Sequence, residues 1–385
     1  MQGGVFGRLI KPLRWVLPLA AALAGTVSAD GLRLRIAAAN LTSGNGQNYD
    51  PGEGIDILQG IDPDICLIQE FNYQGNTAAN LRTFVDTAFG TSFSFFRETG
   101  AQIPNGVISR YPIVQSGQWN DPQLTNRDFV WAKIDLPGEK DLWAVSVHLH
   151  SSGGAGSRQT EAQEIVSKIN ATVTAGDYLV IGGDFNTDTR SEACLSTLAA
   201  VVLTAGPYPA DKNGNQNTNA GRSKPYDAVY PDADLHALRT PVRIGNNSFT
   251  NGTVIDTRVY TPIADLAPAQ ADSSSASNMQ HMAVIRDFLI PLPADPPELA
   301  LTATHFTPGA SPRFAISFQS TAYATYLVQS TDSLTAASWS TLGQIQAGGA
   351  TTTVTVVTTN PAAAQVRDTL LGSAQRRFYR VIRQP

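Results

Sequence analysis

Short apolar runs alternate with polar, glycine-rich turns along most of the chain, a pattern that predicts β-strands joined by loops. Between residues 32 and 291 these runs are rich in Ile, Val, Leu and Ala. We predict eight strands in this region: Leu34–Ala39, Ile65–Gln69, Val107–Ser109, Val130–Ile134, Leu142–Leu149, Tyr178–Ile181, Ala228–Tyr230 and Met282–Leu289.

Two segments have the spacing of apolar residues that is typical of helices. In Arg158–Ile169, apolar residues recur at positions 162, 165, 166 and 169, with charged residues elsewhere. The segment Glu192–Leu203 is a second candidate, because it follows a glycine-rich turn. A chain with many strands and few helices is predicted to have an α+β fold.

A proline-rich segment, residues 291–298, divides the chain, because its four prolines favour an extended and semi-rigid linker. Beyond it, β-branched and aromatic residues alternate without helical spacing. Residues 299–385 are therefore predicted to form a small all-β sandwich domain. Its predicted strands are Ser317–Ser320, Tyr323–Gln329, Thr351–Thr359 and Arg377–Arg383.

The first 29 residues have the pattern of a secretory signal peptide. Three basic residues, Arg8, Lys11 and Arg14, precede the apolar run Trp15–Val27, and a small-residue cleavage signal ends at Ala29. The run is shorter than the roughly 18 apolar residues of a membrane span. We therefore expect cleavage near Ala29 and a secreted protein, extracellular or periplasmic, without stable membrane insertion.

The net charge argues against a general attraction to polyanions. Without the leader, 24 Lys and Arg face 32 Asp and Glu, which gives a net charge of −8. Contact with nucleic acid or an anionic membrane would therefore need a local basic patch or a metal ion.

Two cysteines, Cys66 and Cys194, allow one disulfide in an oxidising compartment. Cys66 lies inside an apolar run, where a small buried core residue is an equally good interpretation. The sequence leaves both possibilities open.

Polar side chains lie in or at the ends of the apolar strands, where desolvation is unfavourable unless the group is paired or binds a metal. In the segment VIGGDFNTD, Asp184 and Asn186 are two residues apart, so a strand would point both to the same side. A turn is the alternative for this segment alone. The same feature recurs on separate strands, however, at Asn40, Glu70, His148, Asp227 and His281.

These residue types together suit one kind of chemistry. Carboxylate and amide oxygens favour Mg²⁺, Mn²⁺ or Ca²⁺ over zinc. Histidines and a carboxylate can bind a phosphoryl group, activate water and protonate a leaving oxygen. The set predicts metal-assisted hydrolysis of a phosphate ester.

In their order along the chain, these motifs resemble the endonuclease/exonuclease/phosphatase family, which has the deoxyribonuclease-I-like fold. The motifs are Asn40, Gln69-Glu70, Gly106–Ile113, His148–Ser151, Gly183–Asn186, Tyr226–Tyr230 and His281–Val284. Each motif alone is weak, whereas seven in the family's order are specific. The resemblance covers residues 32–290 and implies that residues 30–290 form a four-layer α/β/β/α sandwich, two packed mixed β-sheets flanked by helices, with the small all-β sandwich following it.

The resemblance also implies a metal site. Glu70 would be the principal metal ligand, and Asn40 would lie beside the metal and the phosphate. Mg²⁺ is the expected cofactor, with Mn²⁺ or Ca²⁺ as alternatives.

Five further residues take catalytic roles by the same resemblance. Asp184 would orient or deprotonate the attacking water, and Asn186 would hold a phosphate oxygen. His148 and His281 would contact the non-bridging oxygens and take part in proton transfer. Asp227 would fix the tautomer of one histidine.

One position departs from the family pattern. The family usually has Asp immediately before its last His, and this chain has Gln280 there. Glutamine lacks the negative charge that binds a metal or raises the basicity of a histidine. We therefore expect lowered activity or an altered metal preference.

The preferred function is that of a secreted endonuclease acting on DNA or RNA. Residues near the motif loops are candidates to contact the substrate, although solvated surface charge is the alternative: His150, Arg158, Arg190, Arg222 and Lys224. A sphingomyelinase-like or small-molecule phosphodiesterase or phosphatase is the first alternative function, but no apolar hairpin suited to membrane insertion is evident. A binding scaffold of the same fold with weakened catalysis is the second.

The tail has its own, looser resemblance. Through Tyr326–Asp332, Trp339 and Phe378–Val381 it is similar to C-terminal β-sandwich units of secreted bacterial proteins. That resemblance implies binding to a cell surface or a carbohydrate, and a spacing or stabilising role is the alternative. We expect the protein to be a monomer.

Overall fold

The computed structural model describes residues 31–292, 302–307, 313–320, 324–331, 339–347, 353–356 and 378–383. The predicted signal peptide and most of the predicted linker lie outside the described residues.

In chain order, the strands before the tail are β1 (Gly31–Ala39), β2 (Ile65–Ile68), β3 (Ser94–Arg97), β4 (Gly106–Ser109), β5 (Ile113–Trp119), β6 (Phe129–Ile134), β7 (Leu142–His148), β8 (Tyr178–Asp184), β9 (Asp227–Pro231), β10 (Arg239–Thr240), β11 (Val242–Ile244), β12 (Asn247–Phe249), β13 (Thr253–Ile255) and β14 (Ala283–Pro291). The α-helices are α1 (Glu53–Ile61), α2 (Ala78–Ala88), α3 (Gly154–Thr172), α4 (Ala193–Leu198) and α5 (Ala233–Ala237).

Two mixed β-sheets face each other. The first has the strand order β10-β14-β1-β2-β4-β3, with β13 also paired to β14, and the second has the order β5-β6-β7-β8-β9. Helices α1 and α2 pack on the outer face of the first sheet, and α3 and α4 pack on the second. The predicted four-layer α/β/β/α sandwich is therefore confirmed.

Alternation along β7 shows how both faces of a sheet become buried. Leu142 and Ala144 lie in the core between the sheets, whereas Trp143 and Val145 pack in the layer beneath α3. His148 has the same parity as Leu142 and Ala144, so β7 points its ring toward the space between the sheets. The sandwich thus brings polar strand ends together in a buried place.

The predicted helix at Arg158–Ile169 is found as the longer α3, and the predicted helix at Glu192–Leu203 is found only as the short α4. The sequence prediction missed α1, α2 and α5. Helix α2 begins with a capping box, in which Thr77 and Asn80 each accept a backbone N–H of the other. No helix in the described part of the chain is long and apolar enough to cross a bilayer.

All eight predicted strands before the tail are present, with ends shifted by a few residues. The prediction missed the short strands β10 to β13, together with β3 and β5. Strand β5 has the sequence IVQSGQW and is largely exposed, so it lacks the apolar alternation that reveals a strand.

The tail forms two three-stranded antiparallel sheets. Its strands are β15 (Thr302–Thr307), β16 (Arg313–Gln319), β17 (Thr325–Thr331), β18 (Ser340–Gln346), β19 (Thr353–Val356) and β20 (Phe378–Arg383), in the orders β15-β16-β19 and β18-β17-β20. Phe318 of one sheet packs on Tyr326 of the other, with ring centroids 4.9 Å apart. The prediction of a small all-β sandwich is confirmed, although it missed β15 and β18.

The two cysteines are unbridged. Cys66 in β2 is buried in the core on the first sheet, and Cys194 in α4 is buried in the layer outside the second sheet. Of the two possibilities that the sequence left open, the buried core residue is confirmed for Cys66.

Candidate active site

Two glycines let β8 deliver a carboxylate between the sheets. A Cβ on Gly182 would lie 2.5 Å from Cδ1 of Leu67, and a Cβ on Gly183 would lie 2.1 Å from the carbonyl oxygen of Val147. Gly183 also has a φ of +137°, which disfavours any other residue. Gly182 therefore allows the close approach of the two sheets, and Gly183 allows the close approach of β8 to its neighbour β7, which together place Asp184 near the end of β1.

Asp184 is the centre of a buried polar cluster. Its Oδ2 lies 3.3 Å from Nδ2 of Asn40, 3.3 Å from Nε2 of His148 and 3.5 Å from Nε2 of His281. All four residues are at most 5% exposed. One carboxylate is thus shared by an amide and two imidazoles that come from different strand ends.

His281 is held by a second carboxylate. Its Nδ1 lies 2.9 Å from Oδ2 of Asp227, so Nδ1 donates to Asp227 and Nε2 faces Asp184. Burial lowers the pKa of His281, but the charges of Asp227 and Asp184 outweigh it and raise the pKa to about 10. The ring is therefore protonated at neutral pH.

His148 has the opposite protonation state. Burial, the guanidinium of Arg127 and the charged His281 together hold the pKa of His148 well below its ordinary value. The site therefore pairs a neutral imidazole with a charged one across Asp184, and such a pair can divide the roles of acid and base.

The environment of Asp184 raises its pKa to about 7. Burial is the main cause, and the carboxylates of Asp227 and Glu70 add to it, while His281 acts in the opposite direction. A carboxylate that titrates near neutrality is suited to take a proton from water.

Glu70 and Asn40 offer oxygens suited to a hard divalent cation. Oε1 of Glu70 accepts from Nε2 of Gln47 at 2.8 Å and Oε2 accepts from the hydroxyl of Thr42 at 2.7 Å, so the donors to this buried carboxylate in the described part of the chain are neutral. Oδ1 of Asn40 is buried and has no hydrogen-bond partner among the described residues. Two such oxygens fit Mg²⁺, Mn²⁺ or Ca²⁺ and do not resemble a zinc site.

Two site residues have a left-handed backbone that non-glycine residues seldom adopt. Glu70 has a φ of 52° and Asn186 has a φ of 49°. Asn186 is anchored by its N–H, which donates to Oδ1 of Asp184, and by Nδ2, which donates to the carbonyl of Leu149. Strained backbone that the surrounding contacts maintain is characteristic of functional sites.

The sequence prediction missed Arg127, which supports the cluster from behind. Its Nε donates to the carbonyl of His148 at 2.6 Å and its Nη2 donates to that of Leu149 at 2.9 Å. Arg127 is 5% exposed, and its charge acts on Asp184. Nothing in its local sequence signals this role, because the two carbonyls come from a different strand.

A sequence profile of the endonuclease/exonuclease/phosphatase family matches residues 48–256, more than half of the 385 residues. The chain belongs to this family. The match contains Glu70, His148, Asp184 and Asp227, and members of the family are phosphoric ester hydrolases. No curated protein matches the chain.

Several solved structures are similar to this member of the family at low identity. A family protein from Leptotrichia buccalis C-1013-b is 16% identical with a TM-score of 0.45, over 66% of this chain and 98% of that one. Humanized D. rerio TDP2 is 16% identical with a TM-score of 0.43, over 66% of this chain and 98% of that one. Beta toxin from Staphylococcus aureus is 13% identical with a TM-score of 0.41, over 66% of this chain and 99% of that one.

Two of the basic residues predicted to contact substrate are committed elsewhere. Arg158 is buried, and its Nε and Nη2 lie 2.7 and 2.8 Å from the carboxylate of Glu192. Arg222 pairs with Asp211 and, at 3.0 Å, with Asp256. Because each charge is already compensated by carboxylates, these surroundings do not favour contact with a phosphate.

The other three candidates are more accessible. Arg190 lies half-exposed over the ring of Tyr208, and Lys224 is 44% exposed beside Asp188. His150 is half-buried outside the cluster, and its Nδ1 accepts the N–H of Gly153 at 2.8 Å. Arg190 therefore remains accessible at the surface. Lys224 also remains accessible, because its ion pair with Asp188 is exposed to solvent and hence weak, unlike the buried pairs of Arg158 and Arg222.

Gln280, where the family usually has Asp, is exposed and directly precedes His281. Its carbonyl accepts the N–H of Ala220 at 2.7 Å, which ties this turn to the loop before β9. The backbone at this position is thus fixed, whereas the side chain is open to substitution.

Proposed function

We propose that the protein is a secreted, metal-dependent phosphodiesterase that acts as an endonuclease on DNA or RNA. The observation that carries the proposal is the buried Oδ2 of Asp184, which contacts Asn40, His148 and His281 within 3.5 Å. A carboxylate base whose pKa is near neutral pH, placed between one charged and one neutral imidazole, is suited to promote attack of water on phosphorus.

The proposed metal ligands are Glu70 and Asn40. Both offer buried oxygens, and no positive side chain forms an ion pair with Glu70 in the described part of the chain. A bound Mg²⁺, or Mn²⁺ or Ca²⁺, would supply positive charge to polarise a phosphoryl oxygen.

Asp184 accepts a proton from the attacking water as the new oxygen–phosphorus bond forms. Asn186 holds a phosphoryl oxygen: one hydrogen of its Nδ2 is used by Leu149, and the other is free to donate. Asp184 and Asn186 can take these two different roles because they lie on either side of Phe185.

His281 supplies the proton that the departing oxygen takes as its bond to phosphorus breaks. It is the histidine that carries a proton to give at neutral pH, and Asp227 keeps its Nε2–H directed into the site. His148, which is neutral, contacts a non-bridging oxygen as a hydrogen-bond partner.

Nucleic acid is the preferred substrate over lipid because of the surface around the cluster. Arg190 and Lys224 offer accessible positive charge on the loops that flank Asp184 and Asp227. The β11–β12 hairpin has a polar tip, Gly245-Asn246, and the exposed large apolar residues of the described region lie on separate elements. An apolar surface that could enter a membrane is not found among the described residues.

The test is hydrolysis by the mature protein of double-stranded DNA, RNA, sphingomyelin and bis(p-nitrophenyl) phosphate, each with Mg²⁺, Mn²⁺, Ca²⁺ or EDTA. Asp184→Ala is the catalytic control, and Asp234→Asn, at an exposed ion pair, is the matched surface control. EDTA-sensitive cleavage of DNA or RNA that only Asp184→Ala abolishes would support the nuclease. Turnover of sphingomyelin alone would move the substrate to lipid, and inactivity of the folded protein on every substrate would favour a binding scaffold.

A further inference from the structure

A second polar site lies beside the catalytic cluster, in a partly open cleft between β9 and β14. Asp227 and Tyr230 of β9 and Arg286 of β14 are among the residues that line it. The cleft is narrow, so it is suited to a small ion or a single chemical group.

Arg286 brings an uncompensated charge into this cleft. The residue is 2% exposed, and its Nε and Nη1 are buried without a hydrogen-bond partner among the described residues. Its remaining nitrogen, Nη2, donates only to the carbonyl of Pro207 at 3.3 Å. Burial first and Arg239 second lower the pKa of Arg286 to about 10, so the guanidinium is still charged at neutral pH.

The charges around Arg286 increase the imbalance. Arg190 lines the same cleft and lies 3.9 Å from the ring centroid of Tyr208, and Arg239 acts on Arg286 with its own Nη1 buried and unpartnered. Within the described residues, no carboxylate forms an ion pair with any of these three arginines. Asp227 is on the cleft wall, with Oδ2 bonded to His281 and Oδ1 buried without a partner among the described residues, but it is not among the charges that shift the pKa of Arg286.

A buried cation without a counter-charge is strongly unfavourable in a folded protein. We propose that the cleft between β9 and β14 binds a small phosphate-like oxyanion between Arg286 and Arg190. Guanidinium groups are well matched to phosphate oxygens. The cleft also offers hydroxyl groups, since burial raises the pKa of Tyr230 to about 12 and keeps its hydroxyl a donor.

Free phosphate and the terminal phosphate of a nucleic acid chain share this chemistry. The proposal concerns binding alone, so it does not depend on the proposed function. It can be tested in EDTA, where no metal-dependent turnover takes place.

The experiment measures thermal unfolding and calorimetric binding of the full chain with increasing sodium phosphate, at constant ionic strength and with EDTA present. The variants are Arg286→Met, which removes the buried charge, and Arg190→Gln at the half-exposed arginine. Arg82→Gln is the matched control, because Arg82 lies on α2 and pairs with Asp86. Sodium chloride replaces phosphate in a parallel series.

We expect phosphate to raise the Tm of the wild-type protein saturably. Arg286→Met should bind phosphate at least about 10-fold more weakly, yet be no less stable than wild type without phosphate, because it removes an unpaired charge. Arg190→Gln should also weaken binding, which keeps the test decisive if Arg286→Met does not fold. Arg82→Gln should bind phosphate as wild type does.

A short oligonucleotide with a 5′-phosphate, compared with the same chain without it, distinguishes the two sources. If only the phosphorylated oligonucleotide competes with free phosphate, the natural ligand is a terminal phosphate. If neither oligonucleotide competes, the ligand is the free ion. The proposal is overturned if wild type shows no saturable phosphate effect, if chloride acts equally, or if both cleft variants bind phosphate unchanged.

Discussion

Asp227 and His281 are joined by a 2.9 Å hydrogen bond between Oδ2 and Nδ1, and both side chains are buried. This contact directs Nε2 of the ring toward Asp184 and keeps the ring charged, whereas His148 on the other side of Asp184 is neutral. The two histidines are therefore not equivalent: Asp227 raises the pKa of His281, whereas burial and Arg127 lower that of His148.

Replacing Asp227 with Asn should reduce that difference. The amide retains a hydrogen-bond acceptor but loses the negative charge, so the pKa of His281 should fall toward its ordinary value and kcat should fall about 100-fold or more. Steady-state hydrolysis of bis(p-nitrophenyl) phosphate and an NMR titration of the histidine rings would measure the two effects. A wild-type kcat in a variant whose His281 pKa has dropped would show that the charge of His281 is not used.

Glu70→Gln should weaken metal binding. The substitution keeps the size of the side chain but removes the negative charge that a divalent cation requires, so we expect Mg²⁺ affinity to fall about 100-fold. Calorimetric titration with Mg²⁺ and the dependence of activity on metal concentration would check this. Glu53→Gln is the matched control, since Glu53 is half-buried nearby and contacts Ser43. Equal losses in both variants would contradict a specific role for Glu70.

Gln280→Asp should raise turnover or metal affinity several-fold. The side chain is exposed and its backbone is fixed by Ala220, so the substitution adds a charge next to His281 without disturbing the fold. The comparison is Gln280→Asn, which shortens the side chain and adds no charge. If the Asp variant matches wild type in both kcat and Mg²⁺ affinity, Gln280 is not the cause of any weakened activity.

The residues that could be predicted from sequence are those with a local signal. Asp184 was identifiable because an apolar strand leads into two glycines and then a carboxylate. The role of Arg127 depends on carbonyls from another strand, so its neighbours in sequence carry no trace of it. Arg158 was predicted to contact the substrate, but its neighbours in sequence give no sign that it lies buried in an ion pair with Glu192.

The fold shows a similar division. Strands such as β7 and β8 are apolar on both faces because four layers cover them, and their long apolar runs are easy to identify. Helix α1 contains Gly54 and Gly60, residues with poor helix propensity, and each lies against a backbone carbonyl, of Leu41 and Leu266 respectively. Tertiary packing therefore forms this helix where local propensity does not predict it.

Gly183→Ala should destabilise the protein by about 3 kcal/mol, because the new Cβ meets the carbonyl of Val147 and the φ of +137° is strained for alanine. Gly156→Ala is the matched control: it lies inside α3 with nothing within 4 Å, so alanine should stabilise by up to about 1 kcal/mol. Urea unfolding of both variants measures the difference. Similar stability in the two variants would show that β8 can move away from Val147 of the neighbouring strand β7 at little cost.

A buried pair of carboxyl groups, Asp121 and Glu161, should make stability depend on pH. Oε2 of Glu161 accepts the N–H of His150 at 3.0 Å. Oε1 of Glu161 and Oδ2 of Asp121 have no other partner among the described residues, so a proton shared between them satisfies both. Burial, with the neighbouring Asp121, raises the pKa of Glu161 to about 9.

The folded protein therefore keeps a proton on this pair up to a higher pH than the unfolded chain does. In the unfolded chain, Glu161 releases its proton near the ordinary Glu pKa of about 4.3. Stability from this proton is complete below that pH and is lost as pH rises toward about 9. Glu161→Gln, which carries its own N–H donor for Asp121, should flatten this decline. Tm values between about pH 5 and about pH 9 should fall less in the variant than in wild type. Glu164→Gln, at a partly exposed position on the same helix, should follow wild type, and parallel curves for all three proteins would show that the pair holds no such proton.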